Sequence, residues 1–188
     1  METATGNARP PRQTACDTAD MHKLLLSVGG NLGDIPRRLD ELWPQLEAKM
    51  GKVARVSPYY RSRPWGFQSA HDFVNAAALV LTRLEPLEAL RIAQELEKAA
   101  GRHTKSADGH YQDRPLDIDL IAYDDLVLQH DRLSLPHPLL HRRRFVLQPI
   151  CDICPEWVHP LLHRDAQSLL QACDDPGELT RIPLKTNP

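Results

Sequence analysis

Several features that would classify this chain quickly are missing from it. No apolar run approaches the roughly eighteen residues that a membrane-spanning helix needs. No positive charge dominates: 23 Lys and Arg stand against 25 Asp and Glu, for a formal net charge of −2. A dedicated nucleic-acid binder is usually basic, so that class is disfavoured. Cysteine is scarce, with four in 188 residues. A chain of this length needs no disulfide framework, and reduced thiols fit the cytosol. The glycine-rich turn at Gly29-Gly30-Asn31-Leu32-Gly33-Asp34 is followed by no Gly-Lys-Ser/Thr and makes no GxGxxG, so neither a P-loop nor a dinucleotide fingerprint is present. There is no internal repeat and no linker that would split the chain.

The remaining composition, 41% hydrophobic and 26% charged, is that of a soluble globular domain with a real core. Residues 1–20 carry acids and lack the apolar segment of a secretory signal. They read as a disordered N-terminal arm, residues 21–173 as a single domain, and 174–188 as a frayed C-terminal tail. The cytoplasm follows by default. Cys151-Asp152-Ile153-Cys154, with His159 and His163 downstream, is a conceivable zinc set. The spacing is too short for a ββα finger, and Pro155 and Pro160 interrupt it, so buried or half-buried thiols are the simpler reading.

Taken in order, His22 to Val28 predicts a central strand. Asp34 and Pro36 open a helix with Leu39, Leu42, Trp43, Leu46 and Met50 at helical spacing, Pro44 kinking it and Gly51 ending it. Lys52 to Ser62 predicts a second strand with an edge or bulge at Pro58, and Phe73 to Thr82 a third. Glu85-Pro86 opens a second helix that runs to Gly101, with the apolar stripe Leu90, Ala93, Leu96 and Ala100 and with Glu97 bordering it. Residues 101–113 are polar, basic at their start and without period, and read as a loop. Asp124 to Leu135 predicts a short return strand. Pro149 to Pro160 reads as irregular, and Asp165 to Cys173 as a short helix. The arrangement is α+β rather than a regular βαβ alternation.

The stretch that organises the chain is Asp113-Arg114-Pro115-Leu116-Asp117-Ile118-Asp119-Leu120-Ile121-Ala122-Tyr123. Its alternation predicts a half-buried strand. Leu116, Ile118, Leu120 and Ala122 share one face, and Asp117 and Asp119 share the other. Carboxylates at i and i+2 have Cβ atoms roughly 6–7 Å apart. Two such anions repel unless a cation sits between them, and magnesium takes one or two carboxylates plus phosphate oxygens. Arg114 adds a planar donor fork suited to phosphate. The plain alternative for a bare D-x-D is a solvated strand face. Helix end, basic loop and acidic strand bring Glu97, Arg102, Arg114, Asp117 and Asp119 into one region, which is the arrangement phosphoryl transfer needs.

D-R-P-L-D-I-D-L resembles the R-x-x-D-[LIV]-D signature of 6-hydroxymethyl-7,8-dihydropterin pyrophosphokinases. The likeness extends from Leu24 to about Leu170. It takes in S-V-G-G-N-L-G-D, Y-Y-R-S…W-G…D-F-V-N-A-A, E-x-x-x-x-G-R and P-H-P…R-R-F-V-L-x-P, in the family's order.

The resemblance implies a ferredoxin-like α+β sandwich, with a mainly antiparallel sheet and helices packed on it. It implies transfer of diphosphate from ATP to the hydroxymethyl group of a reduced pterin, with AMP released, in folate biosynthesis. It assigns two magnesium ions to Asp117 and Asp119, and phosphate contacts to Arg102 and Arg114. Nucleotide contacts go to Glu97, Lys105, Tyr111, His137 and Arg143. The pterin pocket goes to Gly29, Ser62, Trp65, Phe73, Asn75 and Phe145. The expected partners are ATP and the pterin, with no nucleic acid and no membrane, and the expected state is a monomer. The loops at 30–35, 63–71 and 102–113 are expected to close over the substrates. This chain departs from the usual pattern at Gly30 (often Ser), at Gln112-Asp113 (often Gly-Pro), at Thr104 (often basic) and at Tyr111 (often Trp). Its 102–113 loop is about two residues longer than in some relatives.

Two rival readings use the same residues. A magnesium-dependent phosphohydrolase would share the D-x-D pair and cast Glu97 or His137 as a water-activating base. A nucleotide- or RNA-binding module would rely on Arg142, Arg143 and Arg144. Three consecutive arginines point in different directions, so at most one or two of them face a common ligand.

Overall fold

A computed structural model of the chain describes residues 21–101 and 112–183. The arm expected at residues 1–20 lies outside them, as do Arg102, Lys105 and Tyr111. Among the described residues no helix is long and apolar enough to cross a membrane.

The first apolar run is strand β1, His22–Gly30. The Asp34 side chain caps helix α1, Ile35–Met50, by accepting from the Arg37 N–H. Leu39, Leu42, Leu46 and Met50 are buried along one stripe. The helix continues through Pro44, because burial of that stripe outweighs the one hydrogen bond the proline withholds. The single strand expected over Lys52–Ser62 is two, β2 (Lys52–Val56) and β3 (Tyr59–Ser62), separated at Ser57-Pro58. Proline brings no ladder donor. Ser57 bridges the break instead: its N–H donates to the Ala77 carbonyl and its hydroxyl accepts from the Ala77 N–H, both at 2.9 Å.

Strand β4 is Phe73–Thr82, as expected, and helix α2 is Pro86–Ala99. The buried face of α2 carries Ala89, Ile92, Ala93, Leu96 and Glu97, so the expected stripe through Leu90 and Ala100 is rotated. Strand β5 is Asp117–Tyr123. The antiparallel sheet runs β5-β1-β4-β3, with β2 also alongside β4. The units β1-α1-β2/β3 and β4-α2-β5 interleave as a split βαβ pair, the ferredoxin-like arrangement. Both helices lie on one face, over Leu24, Leu26, Val28, Ala76, Val80, Ile118 and Leu120.

The other face is partly covered by α3, Arg144–Ile153, and α4, Ala166–Gln171. Helix α3 overturns the irregular reading of the stretch that begins at Pro149. Val146, Leu147, Ile150 and Ile153 recur at helical spacing and bury against Leu25, Ala77 and Ile121, which offsets the donor missing at Pro149. The expected alternation of β5 also fails beyond Leu120. Leu25 faces Ala122 and Leu26 faces Leu120, so β5 holds an extra residue there. This bulge places both Ile121 and Ala122 in the α3 cluster.

The expected return strand is a separate two-stranded ribbon, β6 (Leu128–His130) with β7 (Leu133–Leu135). Beyond residue 173, where a frayed tail was expected, β8 (Leu179–Ile182) joins the sheet against β3. The Arg144 guanidinium holds the approach to it by donating to the Cys173 and Asp175 carbonyls.

Candidate active site

Helix α3 reaches only part of its sheet face. At the C-terminal half of β1 the face is open, and a cavity of about 450 Å³ lies over it. Its floor is built in register. Gly29 sits between Asn75 on β4 and Asp117 on β5, and one step along Ser27 sits between Ala77 and Asp119. Cross-strand partners share a face, so an amide and two carboxylates converge across two small residues. Gly29 has a steric reason to be glycine. A Cβ there would stand 2.6 Å from Asn75 Oδ1 and 2.7 Å from the Val74 carbonyl.

The electrostatics centre on the acidic pair. Arg114 Nη1 donates to Asp117 Oδ2 at 2.6 Å. Burial, reinforced by Asp117, pushes the Asp119 carboxyl up to about 7, while Arg143 and Arg114 pull it down and Glu97 adds to the rise. Glu97 is itself buried, deeper than the position bordering the apolar stripe that was expected. Its Oε1 accepts the Ile118 N–H at 2.8 Å, which satisfies the outer edge of β5 between the two aspartates. Among the described residues no three His, Cys, Asp or Glu side chains group as a ready metal cage. A carboxyl that resists ionising beside a second carboxylate is relieved by a divalent cation. The two oxygen donors, with the remaining positions left to phosphate and water, suit magnesium.

The rim carries His137 and Arg143. The His137 N–H donates to the Ile121 carbonyl, and its Nδ1 accepts from the Leu139 N–H at 3.2 Å. Burial and then Arg143 lower its pKa to about 4, so the ring is neutral, and an accepting Nδ1 leaves the proton on Nε2. The three arginines diverge. Arg142 is exposed, Arg144 serves the C-terminal segment, and Arg143 is buried with its guanidinium carbon 4.7 Å from the Trp65 ring centroid and 5.9 Å from that of Phe145. Opposite, Phe67 meets Phe73 edge-to-face at 6.0 Å, and Asn75 Nδ2 donates to Ser62 Oγ at 2.9 Å.

Residues 25–155 match the family model of 7,8-dihydro-6-hydroxymethylpterin-pyrophosphokinase (HPPK). The chain belongs to this family. A 2-amino-4-hydroxy-6-hydroxymethyldihydropteridine pyrophosphokinase of Porphyromonas gingivalis is 40% identical over 135 residues, covering 71% of this chain and 91% of the relative. One of Synechocystis is 34% identical over 154 residues, covering 81% and 77%. The fold is similar to that of Plasmodium falciparum HPPK-DHPS, solved with pteroate, at a TM-score of 0.67 and 13% identity. This chain spans 44% of that one, and the likeness bears on the fold alone.

Within the pyrophosphokinase domain the cavity gathers every expected site residue that is described. Gly29, Asn75, Asp117 and Asp119 are at its floor, Glu97, Arg114, His137 and Arg143 beside them, and Ser62, Trp65, Phe73 and Phe145 along its wall. Ser27, Arg63, Phe67, Leu90, Gln94 and Leu139 also line it and were not anticipated. For Ser27 the signal was available, because it lies two residues before Gly29 on the same strand face. Leu90 was read as core; it is half-buried, packing against the core cluster and lining the cavity as well. The CxxC residues lie elsewhere. Cys154 is buried in the α3 cluster, and burial pushes the Cys151 thiol up to about 11.

Proposed function

We propose that this cleft transfers diphosphate from ATP to 6-hydroxymethyl-7,8-dihydropterin, giving the pterin diphosphate and AMP in folate biosynthesis. The observation that carries the reading is the row Asn75-Gly29-Asp117, with Asp119 one step on. It sets an amide that can read a ring edge beside two carboxylates on one face. A flat heterocycle and a polyphosphate can then lie side by side.

The pterin hydroxymethyl oxygen attacks the β-phosphorus. The bond from that phosphorus to the α,β-bridging oxygen breaks, AMP departs with the electron pair, and the hydroxyl proton passes to solvent. Two magnesium ions, when bound, neutralise the triphosphate and polarise the β-phosphoryl group. Asp117 and Asp119 would hold them. Arg114 turns its donors to phosphate, and His137 offers its Nε2–H to a phosphate oxygen. Glu97 keeps β5 in place and borders the nucleotide. Arg102, Lys105 and Tyr111 are assigned to ATP by resemblance.

Trp65 and Phe145, or Phe73, stack on the flat pterin ring, Asn75 reads its edge, and Ser62 orients Asn75. Arg143, which lies against Trp65 and Phe145, is assigned to the nucleotide by resemblance. The enzyme is taken to act as a monomer in the cytoplasm, where its free thiols stay reduced.

Chromatography of a reaction with ATP, magnesium and the pterin tests this. AMP and pterin diphosphate should appear in equal amounts, and AMP should need the pterin. Nucleotide hydrolysis at the same rate without pterin would instead support the phosphohydrolase.

A further inference from the structure

Three segments border the site: the turn after β1, the loop at 63–71, and the approach to β5. They meet at one buried amide, Asn31. Its main chain and side chain grip Arg114 from both sides. The Asn31 N–H donates to the Arg114 carbonyl at 2.9 Å, and Asn31 Oδ1 accepts the Arg114 N–H at 2.8 Å. The other end of the amide, Nδ2, donates to Asp113 Oδ1 at 2.6 Å and reaches the His71 carbonyl at 3.3 Å and Ser69 Oγ at 3.5 Å. The shortest of these contacts is to a carboxylate. Hydrogen bonds from Ser69 and then Asn31 hold the Asp113 carboxyl below its usual range, so it is anionic at neutral pH. Asp113 thereby ties the loop that carries Trp65 to the residue whose guanidinium reaches Asp117.

We propose that Asp113 is a positioning residue, clamping Asn31 so that the aromatic wall and the phosphate-side Arg114 keep a fixed relation. It touches neither substrate. Its effect is to make occupancy of one half of the cleft organise the other, since both halves hang on the same amide. Coupling of this kind is reciprocal between the two ligands. The inference rests on the reading of the cleft as a site for ATP and pterin.

The test titrates the wild type, Asp113→Ala and Asp113→Asn with fluorescent 6-hydroxymethylpterin. Each titration is run with and without magnesium and a non-hydrolysable ATP analogue, alongside steady-state kinetics and melting curves. In Asp113→Ala the pterin affinity measured alone should stay within about threefold of wild type. In the wild type the nucleotide analogue should raise pterin affinity about fivefold or more, and a wild type whose pterin affinity ignores the nucleotide would overturn the proposal. In Asp113→Ala that rise should vanish, and kcat should fall between about tenfold and a hundredfold, as for a displaced reacting group. Asp113→Asn, which keeps an acceptor, should recover most of both. Retained enhancement in Asp113→Ala would overturn the proposal. So would parallel loss of both affinities with a lowered melting temperature, which marks a merely structural role. Failure of the wild type to bind the pterin under any condition would instead overturn the functional reading beneath it.

Discussion

Asp119, proposed above to hold magnesium, should destabilise the ligand-free protein. Its carboxyl lies near 4 in an unfolded chain and is pushed up to about 7 in the fold by burial and by Asp117. Between those values the folded state holds a proton that the unfolded state has released. Stability therefore falls as pH rises from about 4 to about 7 and is flat above. At about 1.4 kcal/mol per unit, the full effect is at most about 4 kcal/mol. Partial exposure of the site and solvent relaxation bring a realistic value to about 2 kcal/mol. For a chain of this size that is roughly 4–8 °C in melting temperature. Asp119→Asn removes the penalty. At pH 8 without metal the variant should melt above wild type by that margin, and at pH 4 the two should converge. Magnesium with an ATP analogue should raise the wild type and leave the variant nearly unmoved, and turnover of the variant should be lost. Calorimetry across pH measures the first part, and the difference between the two proteins cancels every other titrating group. A variant that melts lower than wild type at pH 8, or a gap that widens toward pH 4, would refute the reasoning.

Three other outcomes follow from particular contacts. Gly29→Ala drives a methyl group to within 2.6 Å of Asn75 Oδ1, so pterin affinity should fall at least tenfold while nucleotide affinity holds, as read by fluorescence titration. Glu97→Ala leaves the Ile118 N–H without its carboxylate at a buried strand edge and should cost about 1.5–3 kcal/mol in a denaturant midpoint. Glu97→Gln keeps an acceptor and should lose less. His137 is held neutral by its pKa of about 4, so an NMR titration should show its ring unchanged from pH 5.5 to 8. Any activity change in that window should belong to other groups, and a His137 midpoint near 6.5 would remove its assignment as a neutral donor.

How much was legible depends on the range of the interaction. Local signals held. The Asp34 cap, the α1 stripe, β4 and the polar–apolar alternation that sets Asp117 beside Asp119 are all short-range patterns, and the structure keeps them. Pro58 and Pro149 mark the limit of such reasoning. Each was known to lack a donor, but whether the chain breaks or continues there depends on what its neighbours bury. Ser57 found a partner on β4 across the break, and α3 had an apolar face to cover. Trp65, Phe73 and Phe145 were recognisable as pocket residues only through resemblance, and Phe67 was missed, because Trp65 and Phe67 lie in a loop with no period to read.

The order of side chains along the first half of β5 and the chemistry of two adjacent carboxylates are properties of the sequence itself, because a regular strand turns i and i+2 to the same side. The opposing row is not. That Gly29 separates Asp117 from Asn75, that Glu97 closes the edge of β5, and that Arg143 rather than its neighbours enters the cleft were decided by sheet register and by where α2 and α3 dock. Those depend on burial summed over residues far apart in the chain, which no local pattern contains.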